Sequence, residues 1–564
     1  MTRINSAAEL EELRQGILSK KDPAKPSIAI CAGLSCLGLG NGAVINAFKE
    51  ELKKQSLEAK VEVIATGCHG FCEKGPLVVI NPEGICYLEV KPEDVPEIVS
   101  QTVIGKKVID RLVYTDPKTG EKTAQMSEIP FYKNQLRILM GNNAQLNPKS
   151  IDDYLALGGY SALGKALQEM SPVQVLEEVK KANLRGRGGG GFPAGRKWET
   201  TRNAPNPEKY VIVNAHEGEP GAFMDRALFQ ANPHSVLEGL IIGAYAIGSH
   251  QGFIYTRHDT PELRKNVDIA LAQAEEYGLL GENILGSGFD FKVEVHYDVG
   301  IFVSGESSAL MRSIEGKAPE PKPKYIRTSV NGIWDRPSNL NNVETWANVP
   351  QIIAKGSDWY NSIGTEKSKG TKLISLSGHV CNSTVVEVPM GTSLKEIVYD
   401  FGGGIPGGKK LKAIHFGGPM GGTIPESLID NPLDFDVLSK LGASMGAGDM
   451  LMMDEDTCLV EVARYFIDFL SGESCGKCVP CREGIRQMQN ILTNMTKGKG
   501  VAGDIELMEE LAEVIGAAAL CSLGRSVQNP LLSMLKYFRE EFEAHIEKRC
   551  PAHSCKALIA LEGA

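Results

Sequence analysis

The sequence predicts a multidomain α/β protein, and three observations support this fold class. The chain has 564 residues, which corresponds to roughly four domains of ordinary size. Short apolar runs typical of buried strands alternate with helical spacing through most of the chain, whereas the carboxyl-terminal part has helical spacing alone. Glycine and proline turns separate these stretches.

Composition and charge argue against several classes of protein. The hydrophobic fraction of 42% is ample for several cores, and the net charge of −10 argues against a nucleic-acid-binding protein. No long apolar run occurs and the polar start lacks a signal-peptide core, so we expect a cytoplasmic protein without a membrane span. In such a protein the 13 cysteines are better explained as metal ligands than as disulfides.

The amino-terminal region is predicted to begin with a helix and linker over 1–26, followed by a strand–helix–strand–hairpin unit. Two loops at strand ends of this unit carry cysteines, Cys31 with Cys36 and Cys68 with Cys72. Four thiolates on two loops suit a [2Fe-2S] cluster. Unmetallated thiols are the alternative, whereas a thioredoxin-type disulfide is disfavoured because this region has no Cys-x-x-Cys pair.

A glycine-rich stretch, 185–198, follows a predicted helix near the centre of the chain. Its glycines let backbone N–H groups approach a phosphate or a flat ring without obstruction by a Cβ atom. The ordinary Rossmann fingerprint follows a strand, so it does not fit this stretch. A flexible linker is the alternative, which the flanking Phe192, Lys197 and Trp198 disfavour.

The next predicted strand, Tyr210–Asn214, ends just before Glu217 and Glu219. Carboxylates at the carboxyl end of a strand are well placed to bind ribose hydroxyls in an open α/β sheet. The later stretch 341–345 supplies two amides and a hydroxyl that can donate to a phosphate. These patterns favour a nucleotide-binding site over a linker.

Four cysteines in the helical carboxyl-terminal region predict a second cluster. Cys475, Cys478 and Cys481 stand at two-residue gaps, and Cys521 follows much later in an apolar helical context. Three close thiolates with one remote thiolate are the pattern for a [4Fe-4S] cluster. Zinc is the first alternative, although its ligands usually come as two separated pairs, and reduced structural thiols are the second.

The carboxyl-terminal tail adds two cysteines and two histidines, and a tetrahedral metal site needs four ligands. Cys458 is the spare cysteine of the helical region. We therefore expect a structural zinc bound by Cys458, His545, Cys550 and Cys555. His553 is the alternative imidazole, and unmetallated thiols are the alternative to zinc.

Five strings give the chain a specific resemblance to a known family. They are Arg185–Trp198, Asn214–Asp225, Gly305–Glu306, Asn341–Thr345 and Glu473–Gly484. The chain from about 125 to 540 resembles the NADH-oxidising flavoprotein subunit of complex I, the 51-kDa type, and the β subunit of electron-bifurcating hydrogenases. The amino-terminal region resembles the thioredoxin-like [2Fe-2S] ferredoxin domain of the 24-kDa-type subunit, so the match covers nearly the whole chain.

The resemblance implies a fold and a set of domain boundaries. The segments are a helix and linker 1–26, a thioredoxin-like [2Fe-2S] domain 27–110, a modified Rossmann-like FMN and NAD(P) domain 111–365, a β-grasp domain 366–445, a helical bundle with the [4Fe-4S] cluster 446–540, and a tail with zinc ligands 541–564.

The resemblance also implies which residues bind the cofactors. FMN would be held by Gly186, Arg187, Gly188, Lys197, Asn214, Glu217, Glu306, Asn341, Asn342 and Thr345. NAD(H) would stack over the flavin beside Phe192, with Glu217 and Glu219 near its adenosine ribose. Its adenine would lie near Lys322 and Tyr325.

The chain departs from the family at positions that would line the flavin and nicotinamide. Relatives have Asp at His216, Tyr at Phe302, Cys at Ser304 and a second Glu at Ser307. Fewer carboxylates, together with the cations Lys324 and Arg327, favour a 2′-phosphate, so NADP(H) competes with NAD(H) as the substrate. Neutral drift is the alternative explanation of these changes.

The combined prediction is a diaphorase-type subunit that passes a hydride between NAD(H) and FMN, and single electrons between FMN and the clusters. No side chain is expected to act as an acid or base. The expected partners are a small [2Fe-2S] subunit and an iron–sulfur catalytic subunit of hydrogenase, formate dehydrogenase or transhydrogenase type, with ferredoxin if electrons bifurcate. The alternatives are an NADP(H)-specific version, an independent NAD(P)H dehydrogenase, and an electron-relay subunit with a degenerate nucleotide site.

Overall fold

The computed structural model describes residues 3–117, 119–298, 300–323 and 325–562, and the observations below refer to these residues. Lys324, one of the cations expected near the dinucleotide, lies outside them. No helix in the described part of the chain is long and apolar enough to cross a membrane.

The amino-terminal unit is a four-stranded sheet in the order β2-β1-β3-β4. Its strands are β1 Ser27–Cys31, β2 Glu62–Thr66, β3 Val78–Asn81 and β4 Ile85–Tyr87, with helices Leu34–Gly38, Asn41–Lys54 and Val95–Glu97, the last continuing as a π-helix over Ile98–Ile104. Helix Ala7–Lys20, which precedes the sheet, packs on helices Ile151–Ala156 and Ser161–Glu169. Strands β1 and β2 are parallel. Their carboxyl ends therefore meet at one edge, where the two cysteine loops begin.

A short hairpin, β5 Tyr114–Thr115 with β6 Lys122–Thr123, leads to the central unit. The central sheet is β7 Tyr210–Ala215, β8 Gln251–Thr256, β9 Lys292–Tyr297 and β10 Ser338–Asn342, all parallel and in the order β10-β7-β8-β9. Strand β7 is buried on both faces, as is typical of a parallel sheet covered by helices. The strand order reverses between β7 and β10, and ligands of open α/β sheets bind at such a switch point.

Helices cover the central sheet and connect its strands. They are Ile151–Ala156, Ser161–Glu169, Pro172–Lys181, Ala194–Asn203, Met224–Ala231, Pro233–Ile247, Pro261–Glu276, Ser307–Ile314, Val343–Lys355 and Ser357–Asn361. The short helix Pro130–Lys133 instead packs in a different core, where Phe131 stacks on Phe71 of the amino-terminal unit. Helix Pro233–Ile247 is apolar on nearly every side and is almost wholly buried, which places it in the middle of the core. The glycine-rich stretch follows helix Pro172–Lys181, as the sequence predicts.

The third unit is a mixed five-stranded sheet in the order β12-β11-β15-β13-β14. Its strands are β11 Thr371–Gly378, β12 Thr384–Pro389, β13 Leu411–Phe416, β14 Gly422–Pro425 and β15 Asp449–Asp454, with helices Leu394–Glu396 and Phe435–Leu441. Strand β15 pairs with both β11 and β13, and it therefore supplies the middle of the sheet. The sheet thus extends beyond residue 445, the boundary expected from the sequence.

The carboxyl-terminal unit is helical, with helices Leu459–Glu473, Val479–Thr496, Asp504–Ala518, Ser522–Ser526, Gln528–Ile546 and Lys556–Glu562. The first helix buries Val460, Ala463, Ile467 and Leu470, which share one face at helical spacing. The cysteines expected for the [4Fe-4S] cluster and the zinc site all lie in or against this helical core, and His545 is buried near the end of helix Gln528–Ile546. Two metal centres can therefore share one structural support.

Candidate functional site

A cavity of about 410 Å³ lies at the switch point of the central sheet. It is bounded by the glycine-rich loop, the carboxyl ends of β7 and β10, the loop before helix Ser307–Ile314, and parts of the third unit and of the helical carboxyl-terminal unit. The residues expected to bind cofactor that line it are Gly188, Asn214, Glu217, Glu219, Glu306 and Asn342.

Glycine is required where the loop approaches the sheet. A Cβ atom on Gly188 would lie 3.1 Å from Cβ of Asn342, and Gly189 has φ +109° where its backbone pairs with Gly446. Larger residues would therefore either strain the backbone or fill the space above β10. The resulting wall has bare backbone facing the cavity, which suits a flat ring or a phosphate.

Two helices begin at the cavity, and each is capped by a side chain expected to bind cofactor. The Glu306 carboxylate accepts hydrogen bonds from the N–H groups of Ser308 and Ala309, at 2.9 and 3.0 Å. Oδ1 of Asn342 accepts a hydrogen bond from the N–H of Thr345 at 3.0 Å. These caps orient Glu306 and Asn342 and leave the positive ends of both helix dipoles close to the cavity.

Other expected residues support the loop from behind and do not line the cavity. The Arg187 side chain is fully buried and donates to Oη of Tyr360 at 3.1 Å, while its backbone N–H donates to Oγ1 of Thr345 at 2.9 Å. Gly186 closes the loop by donating its N–H to the carbonyl oxygen of Phe192. Arg187 and Thr345 therefore fix the loop onto helix Val343–Lys355.

A second cleft of about 390 Å³ shares Glu306 and Ser307 with the cavity. Its walls include Phe192, Arg196, Lys197, Thr200, Ser308, Lys322, Arg327 and Thr328. Four of these side chains are basic, so the cleft has the charge required by a phosphorylated ligand. Tyr325, which is 84% exposed, is not among its lining residues.

Lys197 lies between the cleft and the sheet. Its Nζ donates to the carbonyl oxygen of Leu340 at 2.7 Å and lies 3.3 Å from Oδ1 of the buried Asn341. Burial lowers the pKa of Lys197 to about 8. The ammonium group is therefore easier to discharge than an exposed lysine, unless a bound anion stabilises its charge.

Several carboxyl groups surround the cavity, and they differ in charge state. Glu217 accepts hydrogen bonds from the N–H of Asp225 at 2.8 Å and from Nε of Arg226 at 2.9 Å. Burial, and then the nearby Asp449, raise the pKa of Glu219 well above its usual range. Glu219 therefore retains its proton to a higher pH than an exposed glutamate does, whereas Glu217 is paired with the cation Arg226.

The four departures from the family all lie at or beside this cavity. His216, Phe302 and Ser307 line it, and the hydroxyl of Ser304 lies 3.1 Å from Nε2 of His216. The Phe302 ring packs edge-on against Phe469, with ring centroids 5.4 Å apart. Where the resemblance leads us to expect an Asp side chain, the cavity wall thus has an imidazole.

The four cysteines expected to hold the [4Fe-4S] cluster line one small cavity in the helical unit. Cys475 and Cys478 lie in the loop before helix Val479–Thr496, and Cys521 lies between two helices. Burial raises the pKa of Cys481 to about 11, so a bound cation is needed to hold it as a thiolate. Val303 and Leu523 form walls of both this cavity and the central one.

The other four expected cluster ligands, Cys31, Cys36, Cys68 and Cys72, are all buried in the amino-terminal unit. The Sγ atoms of Cys68 and Cys72 are 3.7 Å apart, and the Cys31 thiol interacts with those of Cys36 and Cys68. Arg226 lies beside Cys68 and Cys72 and also binds Glu217 in the wall of the central cavity. The [2Fe-2S] cysteines are therefore connected to the central cavity through Arg226 and Glu217, whereas the [4Fe-4S] cysteines share two wall residues with it.

The group expected to bind zinc is also assembled. The ligand atoms of Cys458, His545, Cys550 and Cys555 lie within 4.8 Å of one another, and all four residues are buried. Nδ1 of His545 donates to the carbonyl oxygen of Glu541 at 2.6 Å, which directs Nε2 toward the thiols. His545, and not His553, is the imidazole of this group.

Sequence reasoning missed several polar residues of the site. Asp298, which follows β9, binds His216, and Asp225, Arg226 and Asp449 form carboxylate contacts around the cavity. The position of Asp298 at the carboxyl end of a strand was a usable signal. Nothing in the sequence marked Asp449, because its position near the cavity depends on how β15 pairs within the third unit.

Comparison with known protein families accounts for the three cofactor regions. Residues 179–351 match the Nuo51 FMN-binding domain, 461–545 match the NADH-ubiquinone oxidoreductase-F iron–sulfur binding region, and 17–103 match the thioredoxin-like [2Fe-2S] ferredoxin. A subunit of the NADH-quinone oxidoreductase of Escherichia coli K12 is 39% identical over 71% of this chain and 91% of its own length. The chain belongs to the complex I 51-kDa family. Membership of this family makes it an NAD(P)H dehydrogenase subunit.

Two other matches extend the comparison within the complex I 51-kDa family and its hydrogenase relatives. The NADP-reducing hydrogenase subunit HndC of Solidesulfovibrio fructosivorans is 48% identical over 76% of this chain and 87% of its own length. A crystal structure of NAD⁺-reducing [NiFe]-hydrogenase in the H₂-reduced state has a TM-score of 0.66 and 25% identity, covering 99% of this chain and 94% of that chain. The predicted fold class and the predicted family are therefore confirmed.

Proposed function

We propose that the chain oxidises or reduces a nicotinamide nucleotide at FMN in the central cavity and exchanges single electrons with two iron–sulfur clusters. One observation carries this proposal: the central cavity shares Val303 and Leu523 with the [4Fe-4S] cavity and reaches the [2Fe-2S] cysteines through Glu217 and Arg226. A flavin in this cavity would thus have the proposed [4Fe-4S] ligands behind one wall and a path through Glu217 and Arg226 to the proposed [2Fe-2S] ligands.

The residues present fit FMN. The glycine-rich loop has bare backbone at Gly188, where a Cβ atom would crowd Asn342, so a flat ring can lie against it. Two helices begin at the same cavity, and their amino termini suit a phosphate. Gly188, Asn214, Glu217, Glu306 and Asn342 would contact the group. FMN would accept a hydride and release electrons singly, while the protein binds it, orients it and excludes water.

The second cleft is the proposed binding site of the dinucleotide. Phe192 lines this cleft, is 53% exposed and offers a ring for stacking. Lys322 also lines the cleft, and its ammonium group is held by Asp335 at 3.1 Å. NADH is the first candidate and NADPH the second. The exposed Arg196 and Arg327 favour the second, because they can pair with a 2′-phosphate that NADH lacks.

The partners proposed for this chain follow from its relatives. One relative is a subunit of an NADP-reducing hydrogenase and another is a subunit of an NADH-quinone oxidoreductase. We propose a small [2Fe-2S] subunit and an iron–sulfur catalytic subunit of hydrogenase, formate dehydrogenase or transhydrogenase type. Because two cluster sites are connected to one proposed flavin cavity, electron bifurcation with ferredoxin is the finer proposal.

The buried group Cys458, His545, Cys550 and Cys555 is proposed to bind a structural zinc. Three thiols and one imidazole at these mutual distances match a closed tetrahedral zinc site with no open position for a substrate. Zinc would tie helix Leu459–Glu473 to the carboxyl-terminal tail, next to the [4Fe-4S] region.

An anaerobic titration tests the redox proposal. The as-isolated protein is titrated with NADH and separately with NADPH while flavin and cluster absorbance are recorded, and flavin and iron per chain are measured. We expect bleaching with at least one nucleotide, and the preferred nucleotide identifies the substrate. Bleaching by neither, in protein that holds flavin and both clusters, would refute nucleotide oxidation, and full metallation without flavin would favour the electron-relay alternative.

A further inference from the structure

A serine hydroxyl contacts one of the four thiols that are expected to hold the [4Fe-4S] cluster. Oγ of Ser474 lies 3.3 Å from Sγ of Cys481, which is a hydrogen-bonding distance for oxygen and sulfur. Ser474 directly precedes Cys475 in the chain and lines the small cavity that the four cysteines share. The hydroxyl therefore belongs to the wall of the cluster site, although Ser474 is not one of the expected ligands.

The chemistry of the pair decides which of its atoms donates the hydrogen bond. The N–H of Gly476 donates to Oγ of Ser474 at 3.3 Å, so one lone pair of the oxygen is already occupied. A cysteine that binds iron does so as a thiolate, which has no hydrogen to donate. The hydroxyl of Ser474 is therefore the donor and Sγ of Cys481 the acceptor when the site is loaded.

Both ends of this contact are held by helices that pack against each other. Ser474 directly follows helix Leu459–Glu473, and Cys481 lies in the first turn of helix Val479–Thr496. Nη1 of Arg482 donates to the carbonyl oxygen of Gly476 at 2.8 Å, which braces the loop between the two helices. The separation of the hydroxyl and the thiol is therefore set by helix packing.

The contact lies at the buried end of the cysteine set. Cys481 and Cys521 are 5% and 6% exposed, whereas Cys475 and Cys478 are half-buried. A hydrogen bond to a charged acceptor is stronger than one to a neutral acceptor, and burial strengthens it further because water does not screen it. A hydroxyl at this end of the site can therefore have a large effect on the charge of the sulfur ligands.

We infer that the Ser474 hydroxyl, by donating a hydrogen bond to Cys481, raises the reduction potential of a [4Fe-4S] cluster held by this cysteine set. The inference rests on the proposed binding of that cluster. Reduction adds one electron and transfers no proton, so the sulfur ligands become more negative and accept a stronger hydrogen bond. The hydroxyl therefore stabilises the reduced state more than the oxidised state, which favours electron transfer from the flavin to this cluster.

A nucleotide-free redox titration tests the role of Ser474 in the full-length holoprotein. Dithionite with redox mediators supplies the electrons, and electron paramagnetic resonance follows the reduced [4Fe-4S] signal at a temperature that separates it from the [2Fe-2S] signal. We expect Ser474→Ala to disfavour reduction of the cluster by about tenfold, because one charge-assisted hydrogen bond is lost. That change corresponds to a potential lower by about 59 mV for a one-electron couple.

Two further variants and one control make the result specific for the hydroxyl. Ser474→Gly removes the same hydroxyl at the end of a helix, where glycine is tolerated, and should lower the potential equally. Ser474→Thr keeps a hydroxyl on the same carbon atom and should keep the wild-type potential. The matched control is Ser471→Ala, because Ser471 is a half-buried serine of the same helix whose hydroxyl donates to Oε1 of Gln489 at 3.2 Å.

The outcomes separate this inference from the proposed function. At equal iron content, potentials of Ser474→Ala and Ser474→Gly equal to that of Ser471→Ala would overturn the inference. Loss of the cluster from both hydroxyl-free variants, but not from the control, would also overturn it, because the hydroxyl would then be required for binding. Wild-type protein without a [4Fe-4S] signal would overturn both proposals. Clusters that dithionite reduces but neither nucleotide reduces would refute nucleotide oxidation alone, and the potentials would still decide the role of Ser474.

Discussion

Replacing one ligand of the proposed zinc site, Cys555→Ser, has an effect that can be estimated from chain topology. Zinc would join Cys458 to Cys555, which are 97 residues apart in the sequence. Cross-linking a loop of about 100 residues removes chain entropy worth about 4.7 kcal/mol from the unfolded state. We therefore expect Cys555→Ser to lower the free energy of unfolding of the helical unit by up to about 4 to 5 kcal/mol.

The assay combines metal content with stability. Zinc per chain would be measured by mass spectrometry, and urea unfolding would be followed by helical ellipticity. The matched control is Cys381→Ser, which removes an exposed cysteine outside the group. Wild-type protein with full iron content but no zinc would refute the site. Equal unfolding midpoints for Cys555→Ser and Cys381→Ser would refute the estimated stabilisation by the zinc cross-link.

Three further predictions concern the central cavity and its neighbouring cluster. Cys521→Ser should remove about four iron atoms per chain and the [4Fe-4S] signal in electron paramagnetic resonance, yet leave flavin bleaching by NADH; unchanged iron would contradict the ligand assignment. The raised pKa of Glu219 means that the folded state holds a proton above the ordinary value of 4.5, so its stabilising effect is complete below that pH and is lost as pH rises through the folded pKa. Glu219→Gln should therefore reduce the loss of stability as pH rises above 4.5, and urea midpoints with the same pH dependence in both proteins would argue against it. Lys197, with its pKa of about 8, should lose its charge and bind an anionic ligand more weakly as pH rises above 8, so the KM for nucleotide should increase several-fold by pH 9. Lys197→Met should remove this pH dependence, and a KM of the wild-type protein that does not change with pH would contradict a role of Lys197 in nucleotide binding.

The contact between His216 and Asp298 could not be predicted from the sequence. The sequence analysis treats His216 only as a change of charge at the flavin, because its sequence neighbours give no partner for it. The structure places Asp298 at the carboxyl end of β9, two strands away from β7, where it binds His216 across 82 residues of sequence. The partner of His216 is therefore set by which strand ends meet at this edge of the sheet.

Only some of the residues that the sequence analysis assigns to FMN binding line the central cavity. Gly188, Asn214, Glu306 and Asn342 line the cavity, whereas the side chain of Arg187 turns into the core. The motif identifies this stretch as one that binds cofactor, but it does not specify which side of the loop each residue faces. Backbone conformation and the packing beneath the loop decide that orientation.

The sequence by itself determined the fold class, the family and the three cysteine groups. Closely spaced cysteines such as Cys475, Cys478 and Cys481 can predict a site because local backbone geometry brings their thiols together. Tertiary structure decided that His545 joins the buried thiols, that Asp298 contacts His216, and that both cluster regions are connected to one cavity. These contacts depend on which strand ends and helices meet in space, because residues far apart in sequence have no local geometry that fixes their separation.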